Sequence, residues 1–246
     1  MEDFNLDYDF IRRAEKVTSF NLSERDFNSP KYQREIRFLY IKNFFPGFDD
    51  KLFTDQVDAA SINRGIDALK RQDLAKFQNL FKFTPGGLGP GEVMLFFLID
   101  NAQLGGAGSA GVDVIVGSER YEVKAAVISK NSVASGFKLG GTVGLSQLMI
   151  DLNSLRERLK LGGSRTEIPG SVIKEMSLKD PDTFAELKGR FRQISYNSYF
   201  KNHKIIIINN TPSTNFGRIE AIKQVQFADI DIERVTSGTI KPLVQL

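Results

Sequence analysis

The chain of 246 residues has no cysteine, no tryptophan and a single histidine, His203. Without cysteine there are no disulfides, no thiolate metal sites and no cysteine nucleophile. One histidine cannot build a multi-histidine metal centre, and nothing near His203 suggests a Ser-His-Asp triad. Long apolar runs are missing too. The longest, Val93 to Ile99, falls well short of the ~18 residues of a membrane span. The opening residues Met1-Glu2-Asp3-Phe4-Asn5-Leu6-Asp7 are acidic and carry no apolar stretch. No signal peptide is therefore expected, and the cytoplasm is the expected location. Net charge is small as well, +3 from 33 basic and 30 acidic residues, so the total implies no polyanionic partner.

What is present is an ordinary globular composition, 41% hydrophobic and 26% charged. It is enough to bury a core as one large domain or a domain with a helical extension. Charge is unevenly spread. Residues 1–119 carry 14 basic and 18 acidic groups, residues 120–204 carry 15 and 8, and residues 205–246 carry four of each. The positive charge is concentrated in the middle segment, which begins at Arg120.

Residues 1–85 form a helical N-terminal region by their spacing: Phe10, Ala14 and Val17, then Ile36, Leu39, Tyr40 and Phe44, then Ile62, Ile66 and Leu69, then Leu74, Phe77 and Phe81. Ser29-Pro30 reads as a helix start and Pro46-Gly47 as a stop. A glycine-rich turn over Gly86 to Gly91 leads into an apolar segment, Glu92 to Leu104, which reads as a buried helix. After a loop at Gly105 to Gly111 the period changes to that of strands, Val112 to Gly117 and Arg120 to Ile128, joined at Gly117-Ser118. Residues 143–161 form an amphipathic helix with Leu145, Leu148, Met149, Leu152, Leu155 and Leu159 on one stripe. Asp180-Pro181 opens another helix, with Phe184, Leu187, Phe191 and Ile194 inward. The four consecutive isoleucines in His203 to Asn210 indicate a strand buried on both faces. The tail offers further strands at Ile219–Phe227, Ile230–Val235 and Ile240–Val244. Residues 86–246 thus read as an α/β core packed as one unit with the helical part.

An acid two residues before a lysine is a weak signal: 30 acids and 18 lysines in 246 positions give about two such triplets by chance. The chain has three, at Asp49-Asp50-Lys51, Glu122-Val123-Lys124 and Glu186-Leu187-Lys188. Context separates them. With a two-residue loop at Gly117-Ser118, Asp113 lies opposite Glu122, and Lys124 projects from the same face. A four-residue loop pairs Asp113 with Lys124 and keeps all three together. Two acids and a lysine between strands rich in Val112, Val114, Val116, Tyr121, Val123, Ala125 and Val127 are costly unless paired or bound to metal. One reading is a satisfied ion network on a solvated sheet. The other is a hard-oxygen site for a divalent cation beside a phosphate. Pro181-Asp182 followed by Glu186-Leu187-Lys188 belongs to a helix start, not to two strands. Gly106-Ala107-Gly108-Ser109-Ala110-Gly111 precedes a strand and so is no dinucleotide fingerprint.

Asp113 followed by Glu122-Val123-Lys124 resembles the PD-(D/E)XK phosphodiesterase superfamily of restriction-endonuclease-like nucleases, over residues 88–161 and the strand at 205–208. The resemblance implies a restriction-endonuclease-like mixed β-sheet core flanked by helices. It also implies Mg²⁺, with Mn²⁺ possible, held by Asp113, Glu122 and the Val123 carbonyl, and Lys124 positioning or activating water. Glu92 matches the helix glutamate of many members, although an acid in a first helical turn is favoured by the helix dipole alone. Gln147 is the candidate for the glutamine of RecB-type members. Val112 stands where the pattern has proline, Asp151 where RecB-type members have tyrosine, and the family's first strand, expected between the Glu92 helix and Asp113, is not visible in the Gly105–Gly111 loop. The expected function is a Mg²⁺-dependent nuclease, a DNA endonuclease, with homo-oligomerisation possible. Lys130, Lys138, Arg156, Arg158, Lys188 and Arg192 are the candidate nucleic-acid contacts. Phe137, Tyr196 and Tyr199 are open to base stacking or to core packing. Two other classes stay open: a nucleic-acid-binding or structural protein with an inactive nuclease-like site, and a helical interaction module in residues 1–83.

Overall fold

Four consecutive isoleucines, Ile205 to Ile208, define the centre of the molecule. All four are 0% exposed, which requires cover on both faces of their strand. The computed structural model describes residues 41–42, 45–82, 84, 88–104, 112–139 and 144–246. The apolar spacings from Phe10 to Tyr40 and at Phe44, the Ser29-Pro30 start and the Gly105–Gly111 loop lie outside them. Among the described residues there are six α-helices: α1 (Ala59–Gln72), α2 (Leu74–Lys82), α3 (Glu92–Leu98), α4 (Leu145–Arg158), α5 (Gly170–Lys179) and α6 (Pro181–Ser195). Eight strands accompany them: β1 (Ala102–Leu104), β2 (Val114–Val116), β3 (Glu119–Ile128), β4 (Val133–Ser135), β5 (Lys204–Asn209), β6 (Ile219–Lys223), β7 (Ile230–Thr236) and β8 (Thr239–Gln245). No helix among them is long and apolar enough to cross a membrane.

The fold is mixed α/β, with the eight strands in one sheet. Alternation along β5 divides the core in two. Ile206 and Ile208 pack with residues of α1, α2 and α3, whereas Ile205 and Ile207 pack with α4, α5 and α6. Helices therefore cover both faces, and the described part of the N-terminal region shares its core with the sheet. β3 pairs with β5 in parallel, with Glu122 beside Ile205, Val123 beside Ile206 and Lys124 beside Ile207. Every other pairing between strands is antiparallel.

β3 is where the sheet divides. Tyr121 O accepts from Asp113 N (2.9 Å), and Ser129 N donates to Val133 O (3.0 Å). Odd-numbered residues of β3 thus aim their backbone groups at β2 and β4. Even-numbered ones aim at β5, as when Ala126 O accepts from Asn210 N (2.7 Å). β2 and β4 share one edge of β3, with β2 against residues 119–121 and β4 against 127–128. Between them the edge is open.

Several expected boundaries move. The helix read to Leu104 ends at Leu98, and Asn101 turns the chain with φ of 59° into β1. The apolar run hid this break because helix and strand are both apolar there. β1 occupies the place of the expected first strand. β4 and α5 were not anticipated: β4 is three residues long, and α5 buries only Ile173 and Met176. Leu74 opens α2 with its side chain exposed, and Ile194 is half-buried. Asp182 sits in the first turn of α6, whose cap is Asp180 accepting from Thr183 N (3.2 Å). The Glu186-Leu187-Lys188 triplet is helical, as its spacing indicated.

Candidate active site

The hairpin has the two-residue connection. Gly117 takes the positive φ (60°) that a primed turn needs. The register is Val114 against Tyr121 and Val116 against Glu119. The paired register ends at Val114: Asp113 N donates to Tyr121 O (2.9 Å), so the chain leaves the ladder at Asp113 and reaches β3 through its side chain. Asp113 Oδ2 accepts from Val123 N (2.8 Å), replacing the ladder bond that β2 no longer supplies. Lys124 Nζ lies 3.6 Å from the same Oδ2 and bonds Glu122 Oε1. The Val123 carbonyl projects from the same edge as its N–H, into the fork beside Asp113.

The three side chains are held in an enclosed space. Glu122 is 4% exposed and Lys124 17%. Among the described residues Glu122 Oε2 is buried with no hydrogen-bond partner, an expensive state for a carboxylate oxygen. Burial raises the Glu122 pKa, Lys124 offsets part of this, and the charge of Asp113 adds to it. Burial alone pulls Lys124 down, but Glu122 and Asp113 more than offset it, so its ammonium persists above the ordinary lysine value. Glu92 joins electrostatically from the start of α3, where Gly91, with φ of 87°, turns the chain into the helix. Its Oε1 accepts from Gly89 N (2.7 Å). Burial first, then the Asp113 charge, push it up to about 7. Glu92 and Glu122 are thus too dry, and too near the Asp113 charge, to ionise freely.

Among the described residues no group of three or more Asp, Glu, His or Cys side chains is gathered for a metal. The donors nonetheless suit a hard divalent cation: two acids, one of them with an orphaned oxygen, and a backbone carbonyl. His203 was missed by sequence reasoning. It precedes Lys204, which pairs with Tyr121, so alternation sets it on the face of Glu122, and its charge favours the Glu122 carboxylate. Arg120, exposed, shares that face. The two-residue alternation across β3 and β5 was the signal available.

Other expected site residues are engaged elsewhere. Gln147 donates to Asp151 Oδ1 (2.9 Å), whose other oxygen accepts from Arg190 (2.7 Å). No contact among the described residues joins it to the acids. Arg156 is 8% exposed and bonds Asn153, Glu157 and the carbonyls of Leu161 and Gly163. It follows Leu148 and Leu152 at four-residue steps, so it borders the apolar stripe of α4. Arg158 is paired with Asp180, Lys188 with Asp231, and Arg192 bonds the Ile230 and Ala228 carbonyls. These four cations hold the fold together. Lys130 and Lys138 are exposed and, among the described residues, have no ion-pair partner. Phe137 is buried, and Tyr196 packs edge-on against Phe227.

No protein-family model matches the chain, and no curated protein or solved structure matches it.

The acids give a pH test. Glu92 takes up its proton near pH 7 when folded but near 4.5 in the unfolded chain. Between those values the folded state binds more protons, so this group's contribution to stability falls as pH rises through the window. Glu92→Gln is expected to change stability little at pH 5 and to add up to about 3 kcal/mol at pH 8. Urea unfolding at both pH values checks this. A gain that is the same at both contradicts it.

Proposed function

We propose that the chain is a Mg²⁺-dependent nuclease of the PD-(D/E)XK type, a DNA endonuclease that hydrolyses phosphodiester bonds. The observation that carries this reading is the orphaned, buried Glu122 Oε2 beside Asp113 and Lys124 at the fork of the sheet. A purely structural ion network would satisfy both oxygens of its most buried acid. Further support comes from β1 standing where the resemblance expects a first strand, and from the helices α4 to α6 lying between β3 and its parallel partner β5 in the chain.

In this reading Asp113, Glu122 and the Val123 carbonyl hold Mg²⁺ or Mn²⁺, with Glu92 as an auxiliary acid. When bound, the ion supplies a Lewis acid that makes water a nucleophile near neutral pH and offsets charge growing on phosphorus. Asp113 keeps its bond to Val123 N and so fixes the edge of β3 against the substrate. Lys124, charged and nearly enclosed, donates to the attacking water or to a phosphate oxygen once it no longer has to neutralise two acids. Lys130 and Lys138 contact the nucleic-acid backbone. Arg156, Arg158, Lys188 and Arg192 are left out of this role because their donors are engaged.

The test is incubation with supercoiled plasmid, linear duplex and single-stranded DNA, with and without Mg²⁺. Mg²⁺-dependent nicking or linearisation is expected. Absence of cleavage with both Mg²⁺ and Mn²⁺ rejects the enzyme. One observation favours a second reading, a nucleic-acid-binding protein with an inactive site: Lys124 already bridges both acids, and among the described residues no third acid closes the group. Isothermal titration with Mn²⁺ separates the two, since only the nuclease should show metal affinity that Glu122→Ala removes.

A further inference from the structure

A second charged cluster lies on the β7–β8 ribbon, outside the carboxylate site. Arg234 and Lys241 are direct cross-strand partners, an arrangement that destabilises a ladder when the charges are alike. Lys241 is moreover 6% exposed, yet among the described residues its side chain has neither a hydrogen bond nor an ion pair. Lys138, two residues past Gly136 at the exit of β4, adds a third cation. Burial, followed by the charges of Lys138 and Arg234, holds Lys241 below the ordinary lysine value. The carboxylate acting on Lys241 is Glu233, and both of its oxygens are engaged. One accepts from Gly136 N (3.0 Å) and the other pairs with Arg234 (3.3 Å). Three cations around one occupied carboxylate leave the cluster short of negative charge. The Lys241 stem is buried while its ammonium reaches the surface, where it meets two like charges and, among the described residues, no ion-pair partner.

The strand pairings connect this cluster to the fork. β8 pairs with β4, and β4 continues the edge of β3 on which β2 holds Asp113. We propose that Lys138, Arg234 and Lys241 form a phosphate-binding site that takes a backbone phosphate of the nucleic acid entering the fork. The choice of nucleic acid rests on the nuclease reading; the need for an anion does not. Phosphodiester backbone suits the cluster because its charges recur along a strand, so one can lie here while another meets the acids.

The test uses the full chain with fluorescently labelled duplex DNA in EDTA, read by anisotropy between about 50 and 200 mM salt. Lys138→Gln and Lys241→Met are each expected to weaken binding by about three- to tenfold. Each should also lower the slope of log affinity against log salt by about one. Lys241→Met should at the same time raise Tm, because it removes a repelling, desolvated charge. A lysine kept for packing would lower Tm and leave the slope alone. Unchanged slope in both variants, or no DNA binding by the wild type, overturns the site. Lys138 is exposed, so its variant decides the matter even if Lys241→Met misfolds. The plasmid assay separates the two proposals. A lost slope without Mg²⁺-dependent cleavage keeps the phosphate site and removes the nuclease. Cleavage with an unaltered slope does the reverse.

Discussion

Asp113→Asn is expected to slow DNA cleavage by at least about 10³-fold while leaving Tm unchanged or higher. The amide keeps an oxygen where Asp113 Oδ2 accepts from Val123 N, so the edge of β3 stays fixed. What disappears is the negative charge. A ligand charge that holds a catalytic cation contributes several kcal/mol to transition-state stabilisation, and each 1.36 kcal/mol is about a factor of ten. The same charge raises Glu92 and Glu122, so its loss relieves the folded state. Activity and stability should therefore move in opposite directions, as expected where a site stores unfavourable electrostatics. Single-turnover cleavage and thermal melting on the same preparation check this. Cleavage by the Asp113→Asn variant within about tenfold of wild type removes Asp113 from the chemistry.

Lys124→Ala has the largest expected cost to folding, about 3–5 kcal/mol at pH 8. Glu122, 4% exposed beside Lys124, loses its only side-chain partner among the described residues, since its second oxygen has none there. The cost lies in a stranded charge, so it should shrink as that charge is removed or balanced. At pH 5 the penalty is smaller, because Glu122 takes up a proton more readily than a solvated glutamate. The double variant Lys124→Ala/Glu122→Gln recovers most of it. Millimolar Mg²⁺ recovers part of it at pH 8 if the acids bind the ion. Urea unfolding at the two pH values, with and without Mg²⁺, reads all three. A loss equal at both pH values and unrelieved by the double variant shows that Lys124 matters through packing instead.

The hairpin was legible because a two-residue loop at Gly117 and Ser118 leaves one register, Val114 against Tyr121; the departure of Asp113 from that ladder, its N–H on Tyr121 O, was not. β5 was legible because four isoleucines in a row satisfy neither a one-sided strand nor a surface helix. The leucine stripe of α4 was legible for the matching reason of period. β1 and β4 were not, since three residues are too few to display a period of two. The end of α3 was hidden because Val93 to Ile99 is apolar whatever its conformation. The basic segment misled in a different way. A cation shows its charge in the sequence but its partner only in the fold, and Asp180, Asp231 and the Ile230 carbonyl lie 22, 43 and 38 residues from the groups they hold. Lys241 is the converse case, a lysine in the tail whose isolation only the pairing of β7 and β8 discloses.

The parallel pairing of β3 with β5 also bears on how the molecule folds. Asp113, Glu122 and Lys124 meet through a hairpin closed by two residues, which forms in roughly 1–10 μs. Their dry surroundings come from Ile205 and Ile207, whose strand follows after the whole of α4, α5 and α6. Closing so long a segment is slow relative to the hairpin. The acids are therefore gathered early, while water still screens them, and are desolvated late, when β5 docks. Substitutions that remove their charge should leave the hairpin's formation rate alone. They should instead slow unfolding, because the repulsion they abolish is complete only in the finished sheet.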